Sequence, residues 1–268
     1  MNEQTTPVLL IGAGRMGQAL ISGWRRAGAL PLSGLMIRTP SPKPEADSAA
    51  ARGALLNPSD EALAAVRTVV FCVKPQKRRE VAALYDALLP KDAVIVSVLV
   101  GVKAEDVSRD FGGRRVARAL PTTGVARAEG VTAVHAPDPE ARARAHALFG
   151  PVSTLVDLED EALMDAAGAV SASGAAYVYA FAQALERAGL AAGLPPEPAR
   201  VLARATVTSA AAYMAEDGGD PQALIDQVAS PGGTTRAALA VLQGEGGLEP
   251  LLREAVAAAV RRAGELAR

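Results

Sequence analysis

Along the first half of the chain, short apolar runs alternate with amphipathic stretches. Val8–Ile11, Leu35–Ile37, Val69–Val73, Val94–Val98, Val116–Leu120 and Val131–Val134 read as strands, with helical spacing between them. Such alternation predicts parallel βαβ units. After the segment FGPVSTLVDLEDE the strand-like runs cease, and from Asp160 onward alanine and leucine dominate. There the pattern predicts helices from about Glu161 to Ala192, from Pro196 to about Glu216 and from Leu248 to Ala267. Gly193, Pro195 and Pro221 stand where helix ends and starts require them. The chain thus divides into an α/β domain, residues 1–157, and an all-helical domain, residues 158–268. No heptad run is long enough to require a coiled coil, and no repeat of solenoid length occurs.

The first predicted strand passes directly into GAGRMG and then the helical segment QALISGWRRAG. Gly12, Gly14 and Gly17 therefore fall in the G-x-G-x-x-G spacing at a strand-to-helix turn. Gly12 permits the tight turn, Gly14 lets a pyrophosphate approach the backbone, and Gly17 allows the helix to pack closely on the strand. An ordinary glycine turn is the plainer reading. The further strand-helix units that follow favour a Rossmann-type dinucleotide-binding domain. At the end of the second strand, where an acidic residue would accept the ribose hydroxyls of NAD, the chain reads LMIRTPSPKPE. Arg38 suits a ribose phosphate, Thr39 adds a hydroxyl and Lys43 a charge, so NADP is the expected cofactor, with NADPH preferred over NADH. A solvated loop arginine is the alternative. Val73, Lys74 and Pro75 follow the next strong strand and are expected at the crevice beside the cofactor, with Ser97 to Gly101 one strand further on.

Composition narrows the partners. A net charge of −1, from 28 basic and 29 acidic residues spread along the chain, offers no general attraction to nucleic acid or an anionic membrane. Aromatic residues at 3% leave few stacking platforms for single strands. Cys72 is the only cysteine, which excludes an intramolecular disulfide, and with two histidines no familiar zinc spacing arises. No metal is expected. The N-terminal MNEQTTPVLLIGAG lacks a basic region before an apolar core, so no targeting segment is expected and the reading is a cytoplasmic protein.

Near the end of the helical half stands SPGGTTRAAL, Ser230 to Leu239. In one reading Pro231 and Gly232 occupy the middle of a type II turn, and Thr234 caps a helix beginning at Thr235. In the other, amides at a glycine-rich helix start bind an anion, with the paired hydroxyls beside them. The five lysines and both histidines all precede the helical domain, which therefore carries no lysine, histidine or cysteine. Oxidising an alcohol wants such a base. Reducing an imine that arrives protonated needs mainly geometry, donor and acceptor held roughly 3 to 3.5 Å apart. A substrate carboxylate on the SPGGTT amides, oriented by Ser230, Thr234 or Thr235, would meet that need. The long small-residue helix AAGAVSASGAAYVYAFAQAL needs burial on more than one side, either within its own domain or at a dimer interface.

IGAGRMG, VKPQ, VSVLVGV, RALPTTGVARAEG, AVSASGAAYVYAFAQALERAGLAAGLP and VASPGGTTRAALAVLQ, in this order, resemble the pyrroline-5-carboxylate reductase family across nearly the whole chain. The resemblance implies a Rossmann domain followed by a helical dimerisation domain. It implies reduction of 1-pyrroline-5-carboxylate to L-proline by NAD(P)H, the last step of proline biosynthesis, in a homodimer that often assembles into a larger ring. It places Ser230, Gly232, Gly233, Thr234 and Thr235 in the substrate loop, Thr235 as the threonine proposed to hydrogen-bond the imine nitrogen. Gly12, Gly14, Met16, Gly17, Arg38, Thr39, Lys74 and Pro75 match its cofactor positions. Two segments depart: SASGAAY has Ala172 and Ala175 where members usually carry glycine and proline, and PTTG has Thr122 and Gly124 where they usually carry asparagine and proline. Rival readings are an NADPH-dependent reductase of another small cyclic imine and a non-catalytic NADP-sensing homologue. A β-hydroxyacid dehydrogenase falls behind, because the first long helix of the second half has no lysine.

Overall fold

In the computed structural model, which describes residues 5–266, eight strands form one sheet. They are β1 (Val8–Ile11), β2 (Leu35–Arg38), β3 (Leu55–Leu56), β4 (Thr68–Phe71), β5 (Val94–Ser97), β6 (Val116–Pro121), β7 (Gly130–His135) and β8 (Ser153–Asp157). Their spatial order is β3-β2-β1-β4-β5-β6-β7-β8, so the direction of winding reverses between β1 and β4. All neighbouring pairs run parallel except β6 and β7. That exception departs from the expected all-parallel units. Only residues 122–129, with a single 3-10 turn at Thr123–Arg127, join β6 to β7, too little chain for a crossover back to the same end.

Alternate residues of the strands face opposite sides of the sheet and build two cores. Val8, Leu10, Val70 and Val96 pack with α1 (Arg15–Ala27), α2 (Pro44–Ala50) and α5 (Pro139–Phe149). Leu9, Ile11, Phe71 and Ile95 pack with α3 (Arg78–Tyr85), α4 (Ala104–Asp110) and Phe111. Phe71 and Phe111 meet edge to face with ring centres 5.0 Å apart. Trp24 on α1 is fully enclosed, and its Nε1 donates to the Leu148 carbonyl at 2.8 Å. One position earlier, a Cβ on Gly23 would lie 2.0 Å from the Val125 carbonyl oxygen, so only glycine lets α1 press against the 3-10 turn after β6.

The chain separates into two compact units, one reaching Ala172 and including the end of the last helix from Ala259, the other Ser173–Ala258. The short helix α6 (Met164–Val170) belongs to the first. The second is built from α7 (Gly174–Ala191), α8 (Pro196–Asp217), α9 (Pro221–Val228), α10 (Thr234–Leu242) and most of α11 (Leu248–Leu266). The expected helix from Glu161 to Ala192 is thus broken at residues 171–173. The Ser171 hydroxyl donates to the Ala167 carbonyl one turn back, a bond that bends helices, and Gly174 starts the next one. The last expected helix reaches Leu266, and position 267 lies outside the described residues. Among the described residues no helix is long and apolar enough to cross a membrane.

Candidate active site

The carboxyl ends of β1, β2 and β4 lie side by side where the winding reverses, the place where open α/β sheets bind ligands. The strand ladder extends into the loops: Gly12 N donates to Arg38 O at 2.9 Å, and Cys72 N donates to Ile11 O at 2.9 Å. This brings the Gly12–Gly17 turn between Arg38 and Thr39 on one side and Val73, Lys74 and Pro75 on the other. β4 ends at Phe71, so Val73 belongs to the following loop rather than to the strand.

Two of the three glycines are demanded by packing. Gly12 has φ +100°, and a Cβ there would lie 2.3 Å from the Cys72 carbonyl oxygen. A Cβ at Gly17 would lie 2.2 Å from the Gly12 carbonyl oxygen. Gly14 differs: it is exposed, has φ −67°, and a Cβ there would meet nothing within 4 Å. Its spacing is therefore unexplained by the protein's own packing and fits a ligand that approaches the backbone. The first amide of α1 with a helical acceptor is Gln18, which bonds Gly14 O at 2.9 Å, and the Gly17 amide faces the Cys72 thiol, so the amides of Arg15 and Met16 are those available to an anion. These residues fit a dinucleotide pyrophosphate. Cys72 beside them is chemically quiet, since burial pushes its thiol from 9.0 up to about 12 and keeps it protonated.

Around Arg38 the structure adds residues that sequence reasoning missed. Its Nη2 donates to Asp60 Oδ1 at 2.6 Å, and its Cζ lies 5.8 Å from the Tyr85 ring centre. Thr39 is buried, with its amide bonded to Asn57 Oδ1 at 3.0 Å and its hydroxyl donating to Ser41 O. Asn57 has φ +47°, a conformation asparagine tolerates better than most residues, and the Asn57-Pro58 pair was the turn signal available in the sequence. On β5, Ser97 is buried. Thr122, one of the departures, accepts a bond from Val131 N on its hydroxyl at 3.0 Å.

In the second unit, Ser230, Gly232, Gly233, Thr234 and Thr235 form the loop that opens α10. Gly232 has φ +70° and Gly233 N donates to Ser230 O at 3.1 Å, the expected type II turn. The helix start differs from expectation. α10 begins at Thr234, not Thr235, and Gly233 rather than Thr234 is its N-cap, with no side-chain cap bond. Gly233, extended at φ −78° and ψ 166°, already turns its carbonyl toward Ala237 N at 3.2 Å, which leaves the threonine hydroxyls uncommitted. A Cβ at Gly233 would sit 2.6 Å from Ser230 Oγ, so glycine here makes room for that hydroxyl. With the Gly233 amide used in the turn, the free amides are those of Thr234, Thr235 and Arg236. The Arg236 guanidinium ties the loop down, donating to Ala229 O at 2.8 Å and Asp226 Oδ1 at 3.2 Å.

A glycine-rich turn at the reversal of a Rossmann sheet, joined to a lysine-free helical domain, defines a nucleotide-dependent oxidoreductase. Residues 7–101 match the family model for NADP oxidoreductase, coenzyme F420-dependent, and residues 161–266 match that for pyrroline-5-carboxylate reductase dimerisation. A pyrroline-5-carboxylate reductase of Pisum sativum is 36% identical over 96% of this chain and 94% of its own. The structure of one from Coxiella burnetii superposes with a TM-score of 0.88 at 28% identity, over 98% of this chain and 99% of that one. A Plasmodium falciparum pyrroline carboxylate reductase with NADP bound shares the fold, with a TM-score of 0.84 at 23% identity and full coverage of both chains. The chain belongs to the pyrroline-5-carboxylate reductase family.

Proposed function

We propose that this chain reduces 1-pyrroline-5-carboxylate to L-proline, the final step of proline biosynthesis, using NADPH in preference to NADH. The carrying observation is the Ser230–Thr235 turn: three unpaired amides and two threonine hydroxyls on a helical unit without lysine, histidine or cysteine. Thr234, Thr235 and Arg236 amides take the substrate carboxylate at the start of α10, where the helix dipole favours an anion. Gly232 and Gly233 give the turn its shape, Ser230 Oγ stands over it, and Thr235 Oγ orients the imine nitrogen. When bound, the reduced nicotinamide would supply a hydride to the carbon of the imine that arrives protonated, so that the π electrons become the nitrogen lone pair of the neutral secondary amine and no proton is needed from the protein. Gly12, Gly14, Met16 and Gly17 would hold its pyrophosphate and Arg38 its ribose phosphate; Thr39, whose amide and hydroxyl are bonded to Asn57 and Ser41, shapes the loop beside that phosphate rather than donating to it, and Val73, Lys74 and Pro75 border the cofactor. The α/β domain carries this binding; the helical domain carries substrate binding and self-association as a homodimer or larger ring. The single cysteine is in keeping with a reducing cytoplasm.

The test is NADPH oxidation followed by absorbance with racemic pyrroline-5-carboxylate, in parallel with NADH and with a cyclic imine one methylene larger. Rapid oxidation with pyrroline-5-carboxylate supports the proposal. Turnover of the larger imine alone replaces the substrate, and dinucleotide binding without turnover of either makes the chain an NADP sensor. Thr235→Val keeps the shape and deletes the hydroxyl; kcat/KM should fall by about 10- to 100-fold, the range for a lost hydrogen bond to a charged or reacting group. Unchanged turnover removes Thr235 from the mechanism.

A further inference from the structure

The end of β2 carries no acidic residue in sequence, yet the fold supplies one from elsewhere. Asp60, in the loop after β3, reaches Arg38 Nη2 at 2.6 Å. Tyr85 stands against the same guanidinium, and Arg38 Nε is shut off from solvent with no acceptor among the described residues. The Arg38 side chain is 20% exposed and that of Asp60 61%. An anion arriving from solvent therefore meets the terminal nitrogens of Arg38, one of which already serves a carboxylate. A 2′-phosphate must share or displace Asp60, and its two negative charges are repelled by the one that stays. A ribose with a free 2′-hydroxyl meets the opposite situation, because a carboxylate is the usual acceptor for that hydroxyl.

We propose that Asp60 is a specificity residue that lowers the affinity of this site for NADP(H) and raises it for NAD(H), so that the pair Arg38–Asp60 tunes the chain to both dinucleotides. The proposal rests on the reading of Arg38 as the phosphate-binding residue. The test is calorimetric titration of the whole protein with NADP+ and with NAD+, which needs no turnover. The variants are Asp60→Asn, Asp60→Ser and Arg38→Ala. Asp60 is exposed, so both of its substitutions keep the fold. Asp60→Asn should raise the ratio of NADP+ to NAD+ affinity by about three- to tenfold, the scale of one partly screened charge beside a phosphate. Raising the salt should shrink that gain.

An unchanged ratio, or one moved toward NAD+, overturns the proposal. If both Asp60 substitutions weaken NADP+, Asp60 only braces Arg38, and the proposal fails in favour of a positioning role. Arg38→Ala distinguishes failure of the Asp60 role from failure of Arg38 as the phosphate-binding residue. Should it leave the ratio untouched, the reading of Arg38 itself fails; should it abolish NADP+ preference while Asp60→Asn moves nothing, only the Asp60 proposal falls.

Discussion

At the scale of single residues, the three glycines of the first turn answer to different forces. Gly12→Ala and Gly17→Ala drive a methyl into backbone oxygens at 2.3 and 2.2 Å, so each should destabilise the protein by roughly 2 kcal/mol or more. Gly14→Ala meets open space at an allowed φ and should leave the melting temperature nearly unchanged while weakening NADP+ binding about tenfold or more. Thermal melts and titration of the three variants check this, and a Gly14→Ala protein that binds NADP+ normally would remove that glycine from the cofactor site. The spacing of these glycines was legible in the sequence because the motif is local. Asp60 and Asn57 were not, because their relation to Arg38 and Thr39 is made by a two-residue strand that carries almost no pattern.

Among elements, the regular ones were readable and their interruptions were not. The six predicted strands all form, each within two residues of the expected ends, since each is a buried apolar run. β8 escaped because the sheet edge leaves Thr154, Val156 and Asp157 exposed, so its sequence lacks the apolar run of a central strand. The break at residues 171–173 escaped because alanine and serine fit a helix as well as a bend. The turn before α10 was legible in its glycines, but its fastening was not. Arg236 bridges the carboxylate of α9 and the carbonyl that precedes the turn, from a position that reads as an ordinary helical residue. Arg236→Ala should raise KM for the imine about three- to tenfold with a smaller change in kcat and none in NADP+ affinity, since two hydrogen bonds are lost from the loop alone. Arg236→Lys, which can keep one of them, should recover part of the loss; equal kinetics for all three proteins would show that the loop holds its shape unaided.

For the molecule as a whole, the second unit cannot account for its own stability. Between residues 173 and 258 only Ala199, Ala203 and Ala229 are buried, while Tyr179, Val228 and Val241 are each about 70% exposed or more. Three alanines make no core, and apolar surface on this scale marks an association face. Light scattering after size exclusion should therefore give a mass of at least twice 27.4 kDa, and a stable monomer would contradict self-association. The sequence left the small-residue helix open between burial in its own domain and burial against a copy; its side chains at Val178, Tyr179 and Phe181 are exposed in the single chain. Trp24 is enclosed in the core of the α/β domain. It is the only tryptophan, it sits in the first unit, and three of the four tyrosines, Tyr177, Tyr179 and Tyr213, sit in the second. Indole emission therefore reports on the dinucleotide-binding unit alone and phenol emission mainly on the helical one, so a single unlabelled sample carries a separate optical clock for the unfolding of each.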